Sequence, residues 1–341
     1  MRTLRALVRT RSGQIGESWR TVNLTGLSSG YDYGPRPNPV YAFGFWWGCV
    51  LYRNTSFSPT RSYARVMKSA DGLAWETVQD LFFMADSGFP SYQTALFENL
   101  SASFANGSIV FSGWLGLSGS GSYSGFAILS QNGTDWNFDD NVVVGGTGQI
   151  AQASANLGNF LARTVSAELY RSTDFATWTK TRNNVFSIAQ GAGVFVSCGY
   201  SPDAALSYSA DGLTWNTISA FSSKLPRLVN RSGGRFWVQT ETSPRELWWS
   251  VDGLNWYQAT VPAVYQNKVN TTFHNVASAQ GTWYLPFTKA SAQDRGALLS
   301  STGNAWQDMS ATFPGFPYFA EDGPFFFAPA GNSPQQAVFS P

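Results

Sequence analysis

Short runs of alternating apolar and polar residues, ended by glycine, asparagine or aspartate, recur along most of the chain. Period-two alternation sends successive side chains to opposite faces of an extended strand, and Gly-bearing gaps between such runs mark hairpin turns. Pro226–Ser232, the Gly233-Gly234 turn and Arg235–Thr240 read as a hairpin, followed by strands at Glu246–Ser250 and Trp256–Thr260. The same four-strand grammar predicts Val185–Ala189, Gly193–Cys198, Ala205–Ser209 and Trp215–Ser219 on one side of it. On the other side it predicts His274–Ala279, Gly281–Phe287, Ala297–Ser301 and Trp306–Met309. At the start of the chain Leu4, Ala6 and Val8 alternate with Arg5, Leu7 and Arg9, which favours a strand over an Arg-rich transit segment. No apolar stretch approaches the roughly 20 residues that cross a bilayer as a helix, so membrane insertion is not expected.

Between the third and fourth strands of each unit one heptapeptide returns. Ser69-Ala-Asp71-Gly72-Leu-Ala-Trp75 recurs as Ser209-Ala-Asp211-Gly212-Leu-Thr-Trp215 and Ser250-Val-Asp252-Gly253-Leu-Asn-Trp256. Looser copies run from Ser130 through Asn132 and Gly133 to Trp136, from Ser172 through Asp174 to Trp178, and from Ser300 through Gly303 to Trp306. A degenerate seventh is Gly16–Trp19. Asp or Asn hydrogen-bonds backbone N–H groups just downstream, and Gly accepts the positive φ that such a turn needs. The Trp then starts the next strand with a large apolar face to bury.

Successive repeat tryptophans are 37 to 61 residues apart, so seven units account for the chain. This pattern predicts an all-β fold: a seven-bladed β-propeller of four-stranded antiparallel blades, with six blades as the alternative. The chain is expected to form a single domain over 1–341, one blade being completed by 1–25 together with 317–341. That arrangement closes the ring and leaves no open sheet edge.

Composition narrows the chemistry. Lys+Arg number 22 against 21 Asp+Glu, giving a net charge of +1, which offers no excess of positive charge for a nucleic-acid partner. Aromatics at 16% supply the apolar surface that a disordered chain lacks. Gly, Ser, Thr and aromatics dominate in place of the Ala, Glu, Lys and Leu of a helical bundle. The single histidine, His274, has no Gly-x-Ser-x-Gly elbow to serve, and Cys49 and Cys198 are too far apart for a zinc site and read as buried free thiols. Neither a phosphate loop nor a dinucleotide fingerprint is present, so no metal or cofactor is expected.

The Ser-x-Asp-Gly-x-x-Trp repeats resemble the Asp-box, or bacterial neuraminidase, repeat. It is shared by sialidases, some xyloglucanases, sortilin-like receptors and many tail-associated proteins of bacteriophages. The resemblance implies that the box lies at the blade periphery, away from the ligand-bearing face. Asp71, Asp174, Asp211 and Asp252 are then turn acceptors rather than catalytic carboxylates. Sialidase chemistry needs an arginine triad, a Tyr/Glu nucleophile pair and an Asp acid, with an early Arg-Ile-Pro marker. The nearest text, Tyr33-Gly-Pro-Arg36-Pro37, departs from that marker, so no catalytic residues are expected.

Three long stretches, Thr25–Pro39, Leu81–Glu98 and Trp114–Gly125, read as loops on the usual binding face. They carry Tyr31, Tyr33, Arg36, Phe89, Tyr92, Trp114 and Tyr123, which suit a glycan or protein contact or else plug the ring. The expectation is a non-enzymatic structural or binding propeller of a bacteriophage virion, tail-associated or host-recognising. Its partners would be other virion or tail proteins or a cell-surface glycan. The alternative is a sialidase-like glycoside hydrolase, or a carbohydrate-binding propeller, with a divergent site.

Overall fold

The structure is a computed structural model that describes residues 20–23, 39–54, 61–72, 74–85, 101–105, 107–116, 123–139, 150–156, 158–164, 166–174, 177–199, 205–242, 244–266, 271–279, 281–289, 295–309, 326–329 and 336–340. Among them the regular structure is strand, apart from single 3-10 turns at Ser219–Phe221 and Ala263–Tyr265. Trp19 and the predicted strand near Leu4–Arg9 lie outside the described residues.

The strands form seven antiparallel sheets. β1 (Arg20–Asn23) belongs to a sheet with the end of the chain. The first full sheet holds β2 (Val40–Ala42), β3 (Phe45–Asn54), β4 (Arg61–Ser69) and β5 (Glu76–Ala85), hydrogen-bonded in that order. The second holds β6 (Ser101–Ala105), β7 (Ser108–Gly116), β8 (Tyr123–Ser130) and β9 (Asn137–Asp139). The third holds β10 (Ile150–Asn156), β11 (Asn159–Thr164), β12 (Leu169–Ser172) and β13 (Thr179–Arg182). The fourth holds β14 (Val185–Gly191), β15 (Val194–Gly199), β16 (Ser207–Ser209) and β17 (Asn216–Thr217). The fifth holds β18 (Pro226–Ser232), β19 (Arg235–Thr240), β20 (Leu247–Ser250) and β21 (Tyr257–Ala259). In the sixth, β22 (Thr271–Phe273) and β23 (Ala277–Ala279) both pair with β24 (Thr282–Lys289), followed by β25 (Arg295–Ser300) and β26 (Gln307–Asp308). Finally β27 (Phe326–Pro329) pairs with β28 (Gln336–Ser340), and β28 pairs with β1 through Arg20↔Phe339 to Asn23↔Gln336.

Alternation along each strand feeds two cores, one on either side of the sheet. Ile109 and Phe111 join Trp47, Cys49 and Val66 of the first sheet, whereas Val110 between them joins Ala153, Phe160 and Ala162 of the third. Leu161 and Leu169 pack on Val185, Ile188 and Phe195 across the third and fourth sheets. Val196, Cys198 and Phe221 meet Val229, Phe236 and Val238 across the fourth and fifth. Trp237 and Leu247 meet Trp283, Leu285 and Phe287 across the fifth and sixth. Each sheet between the second and the fifth is therefore buried on both faces, which explains a charged fraction of only 13%. Both cysteines are buried and free, and burial pushes the Cys198 thiol up to about 12 and that of Cys49 higher still.

β10, β14 and β18 carry the same irregularity. Their register on the second strand shifts between Ile150 and Gln152, Val185 and Ser187, and Pro226 and Leu228. Ala151, Phe186 and Arg227 are thus bulge residues at one structural position, where an extra residue re-aims the strand start.

Two loop expectations need correction. β5 continues to Ala85 and β7 to Gly116, while β8 starts at Tyr123. Leu81–Ala85 is strand, and Trp114↔Gly125 and Gly116↔Tyr123 are ladder pairs, because the alternation simply continues through residues read as loop. The single strand expected over His274–Ala279 is broken. Asn230 donates its Nδ2 to Val276 O at 2.7 Å and accepts Val276 N–H at 3.3 Å, which ties this segment to the fifth sheet. Opposite the break stands Pro286, which has no N–H to offer.

Candidate functional site

The box turns share one set of hydrogen bonds. The serine Oγ accepts the N–H of the third residue on, Gly72, Gly133, Gly212, Gly253 and Gly303, at 2.8–2.9 Å. It donates to the acidic or amide oxygen of Asp71, Asn132, Asp174, Asp211 and Asp252. That oxygen also accepts the backbone N–H three residues on, from Ala74, Asp135, Thr177, Thr214 and Asn255, at 2.7–3.0 Å. Thr302 fills the place with a hydroxyl that accepts Asn304 N–H at 3.2 Å. The five glycines have φ between 73° and 78°, as an Asx-type turn demands.

These contacts set the carboxylate chemistry. The N–H groups of Thr214 and Leu213 hold Asp211 below the usual carboxylate range. Burial works to raise Asp252, yet the N–H and amide of Asn255, the N–H of Leu254 and the Ser250 hydroxyl together leave it far below that range. Such groups are anionic hydrogen-bond acceptors and poor proton donors. The indoles of Trp75, Trp215 and Trp256 donate to their own box glycine carbonyls at 3.1–3.3 Å. Trp136 instead stacks on Phe111 and leans on Trp47, and Trp306 meets Trp237 edge-on at 5.6 Å. In both cases the tryptophan reaches the preceding sheet.

Of the loop residues expected to meet a ligand, Tyr31, Tyr33, Arg36, Phe89 and Tyr92 lie outside the described residues, and Trp114 and Tyr123 sit on strands β7 and β8.

A different set gathers on what we term the leading face, where the first strands begin and the second and fourth end. Thr164 and Thr240 close the second-to-third turns there: each accepts the N–H of Glu168 or Glu246 on its Oγ1, at 3.1 and 3.0 Å. Glu168 takes a hydrogen bond from the Tyr170 hydroxyl at 3.0 Å and an ion pair from Lys180; Glu246 takes one from the Trp248 indole at 2.9 Å and an ion pair from Lys224 at 2.6 Å. Lys180 and Tyr170 hold Glu168 low, while burial and Glu168 raise Tyr170. The sequence carries the sign of this clasp in Glu168-Leu-Tyr and Glu246-Leu-Trp, each with its glutamate four residues before the box serine, a signal not used above. The place that Tyr170 takes beside Glu168 in the third sheet is taken by Trp248 beside Glu246 in the fifth.

Four arginines share this face. Arg182 at the end of β13 donates to Ser197 Oγ at 2.7 Å and Ser207 Oγ at 3.2 Å on the fourth sheet. Arg227, the β18 bulge residue, stands 4.5 Å over the Phe186 ring and pairs with Glu241 at 3.3 Å. Arg163 closes β11 and donates to Thr164 O at 3.4 Å. Arg245 precedes β20, where its N–H bonds Gln266 O at 2.7 Å; burial lowers its ionisation, Glu241 opposes this, and Arg227 adds to it. Arg163, Arg182 and Arg227 all lie close enough to the Cys198 thiol to pull its pKa down against burial. Leu169, beside Arg163 in the ladder, packs toward the fourth sheet, and Tyr170 packs toward the second. Arg163 and the Tyr170–Glu168 pair therefore lie on opposite faces of the third sheet.

No group of three or more metal-ligating side chains occurs among the described residues, and none of their helices is long and apolar enough to cross a membrane. No protein-family model and no curated sequence matches the chain. Among solved structures, YCF48 bound to D1 peptide aligns with a TM-score of 0.53 at 14% identity over 94% of each chain. A chain of the Mitotic Checkpoint Complex aligns with a TM-score of 0.56 at 12% identity, over 97% of this chain and 96% of that one. Both are β-propellers, and the likeness assigns the chain the β-propeller fold.

Proposed function

We propose that the chain is a non-catalytic propeller that binds a protein partner through its leading face. Seven blades form its ring, closed by the pairing of β1 with β28. The carrying observation is how the polar groups are spent. The box carboxylates are engaged in their own turns, the Tyr170–Glu168 pair is duplicated as Trp248–Glu246, and the arginines of the leading face stand apart from both. A propeller neighbour bound to a peptide supports the same use of the fold. The Asp-box character of the turns supports a setting in a bacteriophage virion, as a tail-associated or host-recognition component.

Two measurements test this. Mass spectrometry of gradient-purified particles from the source of the gene is expected to find the chain at a fixed ratio to tail proteins; its absence from particles overturns the virion setting. Incubation with a fluorogenic sialoside is expected to give no release above buffer. Turnover that survives repurification and disappears in Tyr170→Phe would restore the glycosidase reading.

A further inference from the structure

We infer that the outer rim between the fifth and sixth sheets binds a neutral saccharide. One pyranose ring stacks on Tyr257, and Thr302 and Asn304 hydrogen-bond its hydroxyls. The site lies at the opposite end of the sheets from the leading face and is independent of the protein-binding reading above.

Across the repeat, the residue after each box tryptophan opens the outermost strand. It pairs over the ladder with the residue before the box serine, as Glu76 does with Lys68 and Tyr257 with Trp249. At this exposed position the other sheets carry Glu76, Asn137, Thr179, Asn216 and Gln307, all polar. The fifth sheet alone of these carries an aromatic ring, Tyr257, and leaves it 56% exposed. The fold is made equally well with Asn, Thr or Gln there, so the tyrosine ring is free to serve an outside contact.

That ring is held from behind. Trp249, half-buried, lies 4.8 Å from it with the two planes 30° apart. Arg235 stands 4.2 Å over Trp249 and 4.5 Å over Trp283 of the sixth sheet, and donates Nη1 to Thr302 O at 2.9 Å. A ring fixed in this way gives up little freedom when a ligand lands on it.

The same guanidinium brings the sixth box turn to the platform. Thr260 N–H bonds Asn304 O at 2.6 Å, a second tie between that turn and the chain just past β21. This box departs from the others too. Thr302 stands where Asp71, Asp211 and Asp252 stand, and Asn304 where Leu73, Leu213 and Leu254 stand. Both residues are exposed. Two departures from the repeat, an aromatic ring on one sheet and an uncharged hydroxyl and amide on the next, thus meet at one seam.

Together they match the two sides of a sugar. The negative face of an aromatic ring attracts the C–H groups on one face of a pyranose, while hydroxyls at its edge pair with amide and hydroxyl groups. A single ring is also far too little surface for a stable protein partner, which takes about 800 Å² a side.

The test is isothermal titration of the intact protein with cellotetraose, maltotetraose, mannotetraose and galactotetraose. At least one is expected to bind. Tyr257→Phe, which keeps the ring, is expected to hold affinity within about threefold, and Tyr257→Asn to weaken it about tenfold or more. Asn304→Leu is expected to weaken it about threefold or more, through loss of the amide. Other sheets carry Asn or Leu at these positions, so both variants are expected to keep the parent melting curve. Phe104→Ala, which removes an exposed ring of the second sheet, is expected to leave binding unchanged. Absence of binding by every tetrasaccharide overturns the assignment, as does binding that survives Tyr257→Asn. Self-association in sedimentation that Tyr257→Asn abolishes and no tetrasaccharide disturbs overturns it as well, since the ring then joins two copies of the chain.

Discussion

A methyl group added to Gly212 would lie 2.8 Å from Leu161 Cδ2 on the second strand of the preceding sheet. The same relation links Gly133 to Trp47, Gly253 to Val194 and Gly303 to Trp237 and Arg235. The box glycine thus serves two ends: it makes the turn, and it lets the turn press against the neighbouring sheet.

These two roles separate experimentally. Gly234 has φ 72° with open space around it, whereas Gly212 has φ 75° and the Leu161 contact. Gly234→Ala is expected to cost about 1 kcal/mol for backbone strain alone. Gly212→Ala should cost about 2–4 kcal/mol, because overpacking adds to the strain. Urea denaturation of both variants measures the difference; equal costs would refute a role in sheet-to-sheet packing.

Acid should weaken the fold through the box carboxylates. Asp211 and Asp252 are held below their ordinary values in the folded state, chiefly by backbone N–H groups acting against burial. Their contribution is therefore complete above the unfolded value of about 4 and is lost as pH falls below it toward the folded values. Urea midpoints are expected to drop between pH 5 and pH 3. The Asp211→Asn, Asp252→Asn double variant should show a shallower drop, as Asn132 already makes the same turn without charge. An unchanged slope would count against this account.

Trp237 is fully buried, meets Trp283 and Trp306 of the next sheet, and donates its indole to Ser232 O at 3.1 Å. Trp237→Ala is expected to lose about 3–5 kcal/mol. A loss under about 1 kcal/mol in chemical denaturation would show that the fifth and sixth sheets do not depend on this contact.

Gln190 and Gln239 are each only 4% exposed, but their amides differ. Gln239 donates to His274 O at 2.6 Å, whereas neither amide atom of Gln190 has a partner among the described residues. Gln190→Met should therefore leave stability unchanged or raise it by up to about 1 kcal/mol, while Gln239→Met should lower it by about 1–2 kcal/mol. Melting curves that rank the two variants the other way would contradict this.

Strands bounded by turn glycines were legible residue for residue, as β18 and β19 show. Strong alternation and a Gly-Gly or Gly-bearing stop leave little freedom in where such a strand ends. The break between β22 and β23 was not read from the sequence, because which residue faces Pro286 across the ladder is decided only by the strand register. The clasp at Glu168 and Glu246 was written in the sequence, but its meaning emerges only when Tyr170 and Trp248 are found to do one job.

The order of residues by itself determined the box turns, since Ser, Asp and Gly within a few positions can complete their hydrogen bonds without help from the rest of the chain. It also determined the strand grammar. Tertiary structure alone decided which neighbour each side chain meets, and that Arg163, Arg182, Arg227 and Arg245 share one face. The reason is the antiparallel path: each sheet returns the ends of its second and fourth strands to the side where its first begins, and packing of successive sheets sets those ends side by side.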